Sequence, residues 1–124
     1  MANITETIKT VFPATKVAII GDIVADQYLN GTISRVSREA PVFILRHDQT
    51  TTLPGAAANA ASNVASLGAR ACLVGVIGDD ANGKLLLERM TEIGVDVSSV
   101  VADDAASTTF LNMGSAPSLG GVSA

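Results

Sequence analysis

Two short apolar runs, each closed by a glycine, constrain the fold of this 124-residue chain more than any other feature. The first extends from Lys16 to Asp22 and reads KVAIIGD, and the second covers residues 71–78. A continuous apolar run of this length is typical of a parallel strand buried on both faces, whereas a strand with one wet face alternates. We therefore predict two buried strands of an α/β sheet.

Helical patterns lie between and around these strands. Residues 54–68 are rich in alanine, the best helix former, and Gly68 is placed to cap the C-terminus of that helix. A short amphipathic helix is predicted over residues 4–11, and valines over residues 95–101 predict a further strand. A second long helix, ended by Gly94, has a core face marked by residues at helical spacing: Leu86, Met90 and Ile93.

Residues 28–47 form a different region, in which apolar and polar residues alternate loosely. Asn30-Gly31 and Pro41 interrupt the alternation, as expected for short strands joined by turns and exposed on one face. We interpret this region as a small β flap standing off the main sheet. The order strand, flap, helix, strand, helix, strand predicts an α/β layered domain.

Charge and composition exclude several classes of partner. Twelve acidic and eight basic residues give a net charge of −4 without any basic run, so nucleic acid is not an expected partner. No apolar run approaches the ~20 residues needed to cross a bilayer, and we see no signal peptide, so no membrane partner and a cytoplasmic location are expected. The single cysteine, Cys72, is interpreted as a buried structural thiol, which fits a reducing compartment.

Three polar side chains are candidate ligand contacts. Asp22 and Asp26 follow the first predicted strand, and ligands of open α/β sheets bind beyond the carboxyl ends of the strands. A carboxylate there can accept two hydrogen bonds from sugar hydroxyls, which favours ligand contact for Asp26, whereas turn capping is the favoured interpretation for Asp22. Asn59, early in the alanine-rich helix, offers donors and acceptors to hydroxyls, but a buried Asn satisfied by nearby backbone explains it equally well.

Residues 78–85, GDDANGKL, come within one residue of the phosphate loop GxxxxGK[ST]. Leu85 replaces the hydroxyl residue that would bind Mg²⁺, and two aspartates inside the loop would repel phosphates. We therefore interpret the segment as a helix N-terminus capped by Asp80 or Asn82. His47 is the only histidine and is expected to be solvated, and we predict no metal site.

Four short motifs follow one another in a fixed order. They are Gly21-Asp22-x-x-x-Asp26, Pro54-Gly55-Ala-Ala-Ala-Asn59, Leu67-Gly68-Ala69 and Val74-Gly75-x-x-Gly78-Asp79-Asp80-x-x-Gly83. This order resembles the ribokinase-like, phosphofructokinase-B type carbohydrate kinases over roughly residues 15–109. Within that family, residues 34–42, SRVSREAPV, look most like the heptose-7-phosphate kinase region of bifunctional heptose kinase/adenylyltransferases, which make ADP-heptose for lipopolysaccharide.

The resemblance implies an α/β fold: a ribokinase-like three-layer α/β/α sheet with a small β lid at about 28–47, truncated to its N-terminal part over residues 1–110. It implies transfer of the γ-phosphoryl group of ATP to a sugar or sugar phosphate, with Mg²⁺ in the complete enzyme. The acceptor implied most closely is the 1-position of D-glycero-D-manno-heptose 7-phosphate. Asp26, Gly55 and Asn59 would hold this sugar, and a homodimer through the β lid is a further expectation.

Two departures from the family pattern limit what this chain is expected to do. Ala56 stands where the family has a second glycine, and alanine resists backbone angles that glycine permits. The family's catalytic base belongs to a Gly-Ala-Gly-Asp motif that is absent from these 124 residues, so no catalytic residue is assigned. We therefore expect the chain alone to be inactive and assign no residue to ATP; a non-catalytic sugar-binding or dimerisation module is the alternative.

The end of the chain differs in composition and periodicity from the rest. No charged residue follows Asp104, and residues 111–124 show neither strand nor helix periodicity. We predict a flexible or aberrant tail over 111–124, as a frameshift, a gene fragment or a natural tail would produce.

Overall fold

A computed structural model describes residues 3–39 and 43–115 of the chain. Its elements in chain order are α1 (Ile4–Thr10), a 3₁₀ turn (Phe12–Ala14), β1 (Lys16–Ile20), β2 (Ile23–Val36), β3 (Phe43–Ala56), α2 (Ala57–Ser66), β4 (Arg70–Gly78), α3 (Ala81–Ile93), β5 (Asp96–Asp103) and β6 (Thr109–Ser115). The two predicted buried strands are present as β1 and β4, and the predicted long helices as α2 and α3. Among the described residues, no helix is long and apolar enough to cross a membrane.

The strands form two separate three-stranded sheets. The body sheet has the order β1-β4-β5 and is parallel throughout, with Val17 beside Ala71 and Val76 beside Val101. The lid sheet has the order β3-β2-β6, in which β2 runs antiparallel to β3 and parallel to β6. Because β2 begins three residues after β1 ends, the lid sheet starts at the carboxyl edge of the body sheet.

The hydrophobic core lies between one face of the body sheet and the helices α2 and α3. Small side chains let α2 approach the sheet closely, and both Ala58 and Ala61 are completely buried. Leu73, Leu86 and Met90 are the largest fully buried side chains. The core consists of Ile23, Ala25, Ala58, Ala61, Ala71, Leu73, Ile77, Leu86, Met90 and Val95.

The opposite face of the body sheet is uncovered. Ile20, Val76 and Val101 are 77%, 55% and 59% exposed, and none of the helices in 3–39 and 43–115 covers them. Cys72 lies on this face, half-buried, with its Sγ 3.9 Å from the Ser99 hydroxyl. The prediction of a buried Cys72 is therefore wrong, because an apolar run indicates a strand covered on both faces and here only one face is covered.

The lid hairpin is longer than the predicted flap. Strands β2 and β3 pair from Ile23 opposite Ala56 to Val36 opposite Phe43, with irregularities after Asn30 and Ile33. Residues 40–42 of the predicted flap lie outside the described residues.

The prediction of a patternless tail from residue 111 is wrong for residues 111–115. These residues belong to β6, which pairs with β2 from Thr109 opposite Val24 to Ser115 opposite Asn30. A strand held by backbone pairing to a distant segment does not require alternating side chains, and Phe110 and Leu111 are both about half exposed. Residues 116–124 of the predicted tail lie outside the described residues.

The carboxylate of Asp80 joins the body sheet to the lid sheet, and we call this contact the Asp80 latch. One oxygen accepts from the Gly83 N–H at 2.8 Å, capping α3, and the other accepts from the Thr108 N–H at 2.7 Å. The buried Thr108 hydroxyl in turn accepts from the Gly78 N–H at 3.0 Å. These bonds, that from the Thr108 N–H foremost, hold the pKa of Asp80 below its usual value.

The latch predicts how stability depends on pH. A carboxyl group with a lowered pKa in the folded state stabilises above its unfolded pKa of 3.8 and loses that contribution as the pH falls through its folded pKa. We expect the urea concentration at the unfolding midpoint of the wild-type chain to decrease when the pH is lowered from 5 to 3, values chosen to bracket that range. The midpoint of Asp80→Asn should decrease less. Glu92→Gln, on the exposed side of α3, is the matched control and should fall as the wild type does; equal falls for all three chains would contradict this role.

Ala56, at the junction of β3 and α2, has an unfavourable backbone conformation. Its φ of 50° and ψ of −123° make it the only non-glycine residue with positive φ in the part of the chain described. Its side chain has no oxygen with which to cap α2, so the conformation is not offset by a capping hydrogen bond.

Replacement of Ala56 by glycine should therefore stabilise the chain. Relief of about 1–3 kcal/mol of strain outweighs the extra unfolded-state entropy of about 0.5–1 kcal/mol that glycine brings, which leaves a net stabilisation of up to about 2.5 kcal/mol. Urea unfolding measures the change, and Ala60→Gly, at an exposed position inside α2, should instead destabilise by about 1 kcal/mol. Equal losses in the two variants would show that Ala56 carries no strain.

Candidate functional site

The candidate site lies where the body sheet meets the lid sheet. An open cleft of about 260 Å³ occupies the carboxyl edge of β1 and β4. Its lining residues are Ile20, Gly21, Asp22, Ile23, Val74, Gly75, Val76 and Thr109. This is the edge at which open α/β sheets bind ligands, so the cleft lies where the sequence predicted a site.

Asp26 and Gly55, two of the three predicted sugar contacts, are in direct proximity. Asp26 lies on β2 and Gly55 on β3, and a Cβ built on Gly55 would lie 2.7 Å from Asp26 Cγ and from both carboxylate oxygens. The glycine therefore leaves the space that the carboxylate occupies. Asp26 is half-buried, and its carboxylate has no hydrogen-bond partner among the residues described, so both oxygens are available to a ligand.

Asn59, the third predicted contact, lies in the first turn of α2, four residues after Gly55. The side chain of Asn59 is exposed, so the interpretation as a buried Asn satisfied by backbone is wrong. The Asp22 carbonyl accepts from the Ala57 N–H at 2.9 Å and fixes the start of α2 against the end of β1. The Asp22 carboxylate is exposed, lines the cleft and makes no capping hydrogen bond within the described residues, so the interpretation of Asp22 as a turn cap is wrong.

Several residues that the sequence did not single out belong to the same surface. Leu53 on β3 and Leu111 on β6 flank Asp26 in the register of the lid sheet and are 42% and 54% exposed. Thr109 reaches the cleft because β6 pairs with β2. No local pattern could have identified these residues, since only strand pairing brings them beside Asp26. A hydroxyl-accepting carboxylate between two apolar side chains suits a ligand with both hydroxyl groups and C–H faces.

Residues 78–85 do not fit a bound phosphate. The Asp80 carboxylate already occupies the Gly83 N–H that a phosphate loop would offer, and the Lys84 ammonium pairs with Asp79 at 3.3 Å. The interpretation of this segment as a helix capped by Asp80 is confirmed. Asn82 instead accepts a 3.0 Å hydrogen bond from the Gln27 side chain, a second link between α3 and the lid.

The described residues contain no group of three or more His, Cys, Asp or Glu side chains that could hold a metal ion. His47 is exposed, as predicted, with its Nε2 2.7 Å from the Thr50 hydroxyl. Of the predicted contacts, the Asp26 carboxylate can accept hydrogen bonds and the exposed Asn59 carboxamide can both donate and accept them.

A family model and the curated relatives of this chain indicate the same protein family. The model of the pfkB family carbohydrate kinases matches residues 14–114. The chain is 42% identical over 88 residues to the bifunctional protein HldE of Azorhizobium caulinodans, covering 70% of this chain and 18% of that protein. It is 43% identical over 94 residues to HldE of Helicobacter pylori strain J99, covering 76% and 20%. The chain thus spans about a fifth of the length of these curated relatives, which confirm the predicted resemblance to bifunctional heptose kinase/adenylyltransferases.

Solved structures show the same fold. A putative ribokinase from Agrobacterium tumefaciens matches with a TM-score of 0.64 and 23% identity over 81% of this chain and 32% of its own. The aminoimidazole riboside kinase from Salmonella enterica, solved with aminoimidazole riboside and an ATP analog, matches with a TM-score of 0.61 and 26% identity, covering 79% and 28%. These likenesses confirm the predicted ribokinase-like α/β fold class. Because the model of the pfkB family matches most of its length, the chain belongs to the pfkB family of carbohydrate kinases.

Proposed function

We propose that this chain is the acceptor-binding part of an ATP-dependent kinase whose substrate is D-glycero-D-manno-heptose 7-phosphate, phosphorylated at the 1-position. The observation that carries the proposal is the Asp26 carboxylate, which lies against Gly55 without a hydrogen-bond partner among the described residues, on the strand whose first residue, Ile23, lines the cleft. Asp26 would accept hydrogen bonds from two sugar hydroxyls, and Asn59 would add a donor and an acceptor from α2.

The choice of a heptose phosphate is supported by the relatives rather than by the cleft. Curated proteins that match include bifunctional HldE proteins, at 36–45% identity. A small polyhydroxylated ligand is supported by the Asp26 carboxylate, which lies between Leu53 and Leu111 in the register of the lid sheet, and by the exposed Asp22 carboxylate of the cleft. A planar aromatic ligand would find no stacking partner in the cleft lining, which holds no aromatic residue among its described members.

Phosphoryl transfer is proposed for the complete family enzyme and not for this chain by itself. Positioning and charge neutralisation carry most of that reaction, and both require groups facing the nucleotide phosphates. In this chain the loop most similar to a phosphate site is filled by Asp80 and paired at Lys84, and the Gly-Ala-Gly-Asp motif is absent from the sequence. ATP and Mg²⁺ would therefore be held by residues other than 78–85.

Two substitutions test the acceptor site by different physical routes. Asp26→Asn removes the charge of the acceptor, whereas Gly55→Ala keeps the charge but displaces the carboxylate with the new Cβ. Each should weaken heptose 7-phosphate binding about tenfold or more in isothermal calorimetry, since a hydrogen bond to a charged group is lost or misdirected. Asp104→Asn, which removes one exposed carboxylate elsewhere, is the matched control and should bind as the wild type does.

Turnover assays separate this proposal from its alternatives. The wild-type chain with ATP, Mg²⁺ and heptose 7-phosphate should release no ADP and form no bisphosphate, while calorimetry detects saturable sugar binding. Measured turnover would overturn the assignment of recognition without chemistry. Mg²⁺-dependent ATP affinity that disappears in Lys84→Ala would instead make residues 78–85 a nucleotide site. Absence of any sugar binding would overturn the acceptor-site assignment itself.

A further inference from the structure

The uncovered face of the body sheet changes in character from one end of its strands to the other. Every second residue of β1, β4 and β5 belongs to this face, since Ile19, Leu73 and Val100 point into the core on the other side. From the amino to the carboxyl end, the strand register gives the rows Lys16–Arg70, Ala18–Cys72–Asp96, Ile20–Val74–Ser99, Val76–Val101 and Gly78–Asp103. The face therefore begins with two cations, continues with mostly small and apolar side chains, and ends with a carboxylate.

The amino edge of this face is basic. Lys16 and Arg70 are exposed neighbours on paired strands, and neither has an ion-pair partner among the described residues. The carboxylate in the adjacent row, Asp96, already accepts a 2.9 Å hydrogen bond from the Ser98 N–H. Like charges beside each other on paired strands repel, so an anionic group placed over this edge would be attracted by both cations.

The carboxyl edge of the same face is acidic. Asp22 follows β1 and Asp103 ends β5, and both side chains are exposed. Neither carboxylate pairs with a cation within residues 3–39 and 43–115. The two edges are separated by the length of β4 from Arg70 to Gly78, which at the rise of a strand is about 26 Å.

The rows between the two edges are apolar and open. Ile20, Val76 and Val101 are each more than half exposed, Ala18 is exposed, and Cys72 is half-buried. Contiguous exposed apolar side chains with polar groups at their rim are typical of an interaction surface. Three strands about 4.8 Å apart and about 26 Å long offer on the order of 400 Å² of such surface.

A face that is basic at one end, apolar in the middle and acidic at the other end is complementary to itself in reverse. A two-fold axis in the plane of the interface and perpendicular to the strands places the amino edge of one copy over the carboxyl edge of the other. The same rotation brings the apolar rows of the two copies together, and face-to-face sheets keep their strands within about 30° of a common line. If the strands of the two copies ran in the same direction, the two basic edges would meet and repel.

We propose that the uncovered face of the body sheet binds the same face of a second copy of the chain, with the strands of the two copies running in opposite directions. The apolar rows supply the attraction, and the charged edges set the direction. The buried area of on the order of 800 Å² in total is less than the roughly 1,200 Å² of the smallest stable complexes, so the dimer is weak and reversible. This contact does not depend on the proposed sugar site.

Valine-to-threonine substitutions test the apolar rows. Val76→Thr/Val101→Thr keeps the branched shape but replaces methyl groups by hydroxyls, and it should weaken association about tenfold in sedimentation equilibrium. The matched control, Val11→Thr/Val36→Thr, makes the same change at valines that are 52% and 56% exposed at the end of α1 and the tip of the lid. The control should associate as the wild type does, and equal losses in the two variants would place the contact on another surface.

Reversal of the edge charges tests the direction of packing. Lys16→Glu/Arg70→Glu makes both edges acidic, and Asp22→Lys/Asp103→Lys makes both edges basic. Each variant alone should associate about tenfold more weakly than the wild type, whereas a mixture of the two should associate again because both contacts of a mixed pair join opposite charges. Asp103 also accepts from the Ala105 N–H, so Asp22→Lys alone replaces the second variant if circular dichroism shows that the double substitution does not fold.

The concentration dependence of the wild type completes the test. A wild-type chain that remains monomeric at millimolar concentration, whether or not another protein covers the face, overturns the proposal. Self-association of Lys16→Glu/Arg70→Glu as tight as that of the wild type overturns the opposite direction of the strands. Loss of association in each charge variant and its recovery in the mixture would establish the proposed interface.

Discussion

The Asp80 latch is the contact on which the arrangement of the two sheets depends. Its carboxylate accepts one hydrogen bond from the first turn of α3 and one from Thr108, the residue that precedes β6. Because β6 pairs with β2, the position of Thr108 sets the position of the strand that carries Asp26. A single ionised side chain in the body thus holds the start of β6 and, through its pairing with β2, steadies the strand that carries Asp26. The hydrogen bond that Gln27 on β2 donates to Asn82 on α3 also holds the lid sheet against the body.

Elements that rest on local patterns could be predicted from the sequence. The glycine-closed apolar runs gave β1 and β4, alanine content gave α2, and the spacing of Leu86, Met90 and Ile93 gave α3. The assignment of Asp26 and Gly55 to one sugar site followed from family motifs rather than from physics, because the two residues are 29 positions apart and only the register of β2 and β3 brings them together. Sequence patterns thus identified candidate site residues but not the residues that lie beside them in the fold.

What local reasoning missed has a common cause. Strand β6, the flanking side chains Leu53 and Leu111, and the role of Thr108 all arise from pairing between segments distant along the chain. Cys72 was misjudged for a related reason, since a buried-strand pattern indicates that both faces are apolar and not that both are covered. The sequence indicated only that alanine stands at position 56 where the family has a glycine. The positive φ of Ala56, and with it the strain, became evident from the backbone of the structure.

The uncovered face of the body sheet makes association between copies of this chain sensitive to temperature and salt. Attraction between apolar surfaces such as Ile20, Val76 and Val101 weakens on cooling and is strengthened by sulfate or phosphate salts. Sulfate or phosphate buffers therefore favour contact between the uncovered sheet faces of two copies, and cold solution without these salts disfavours it.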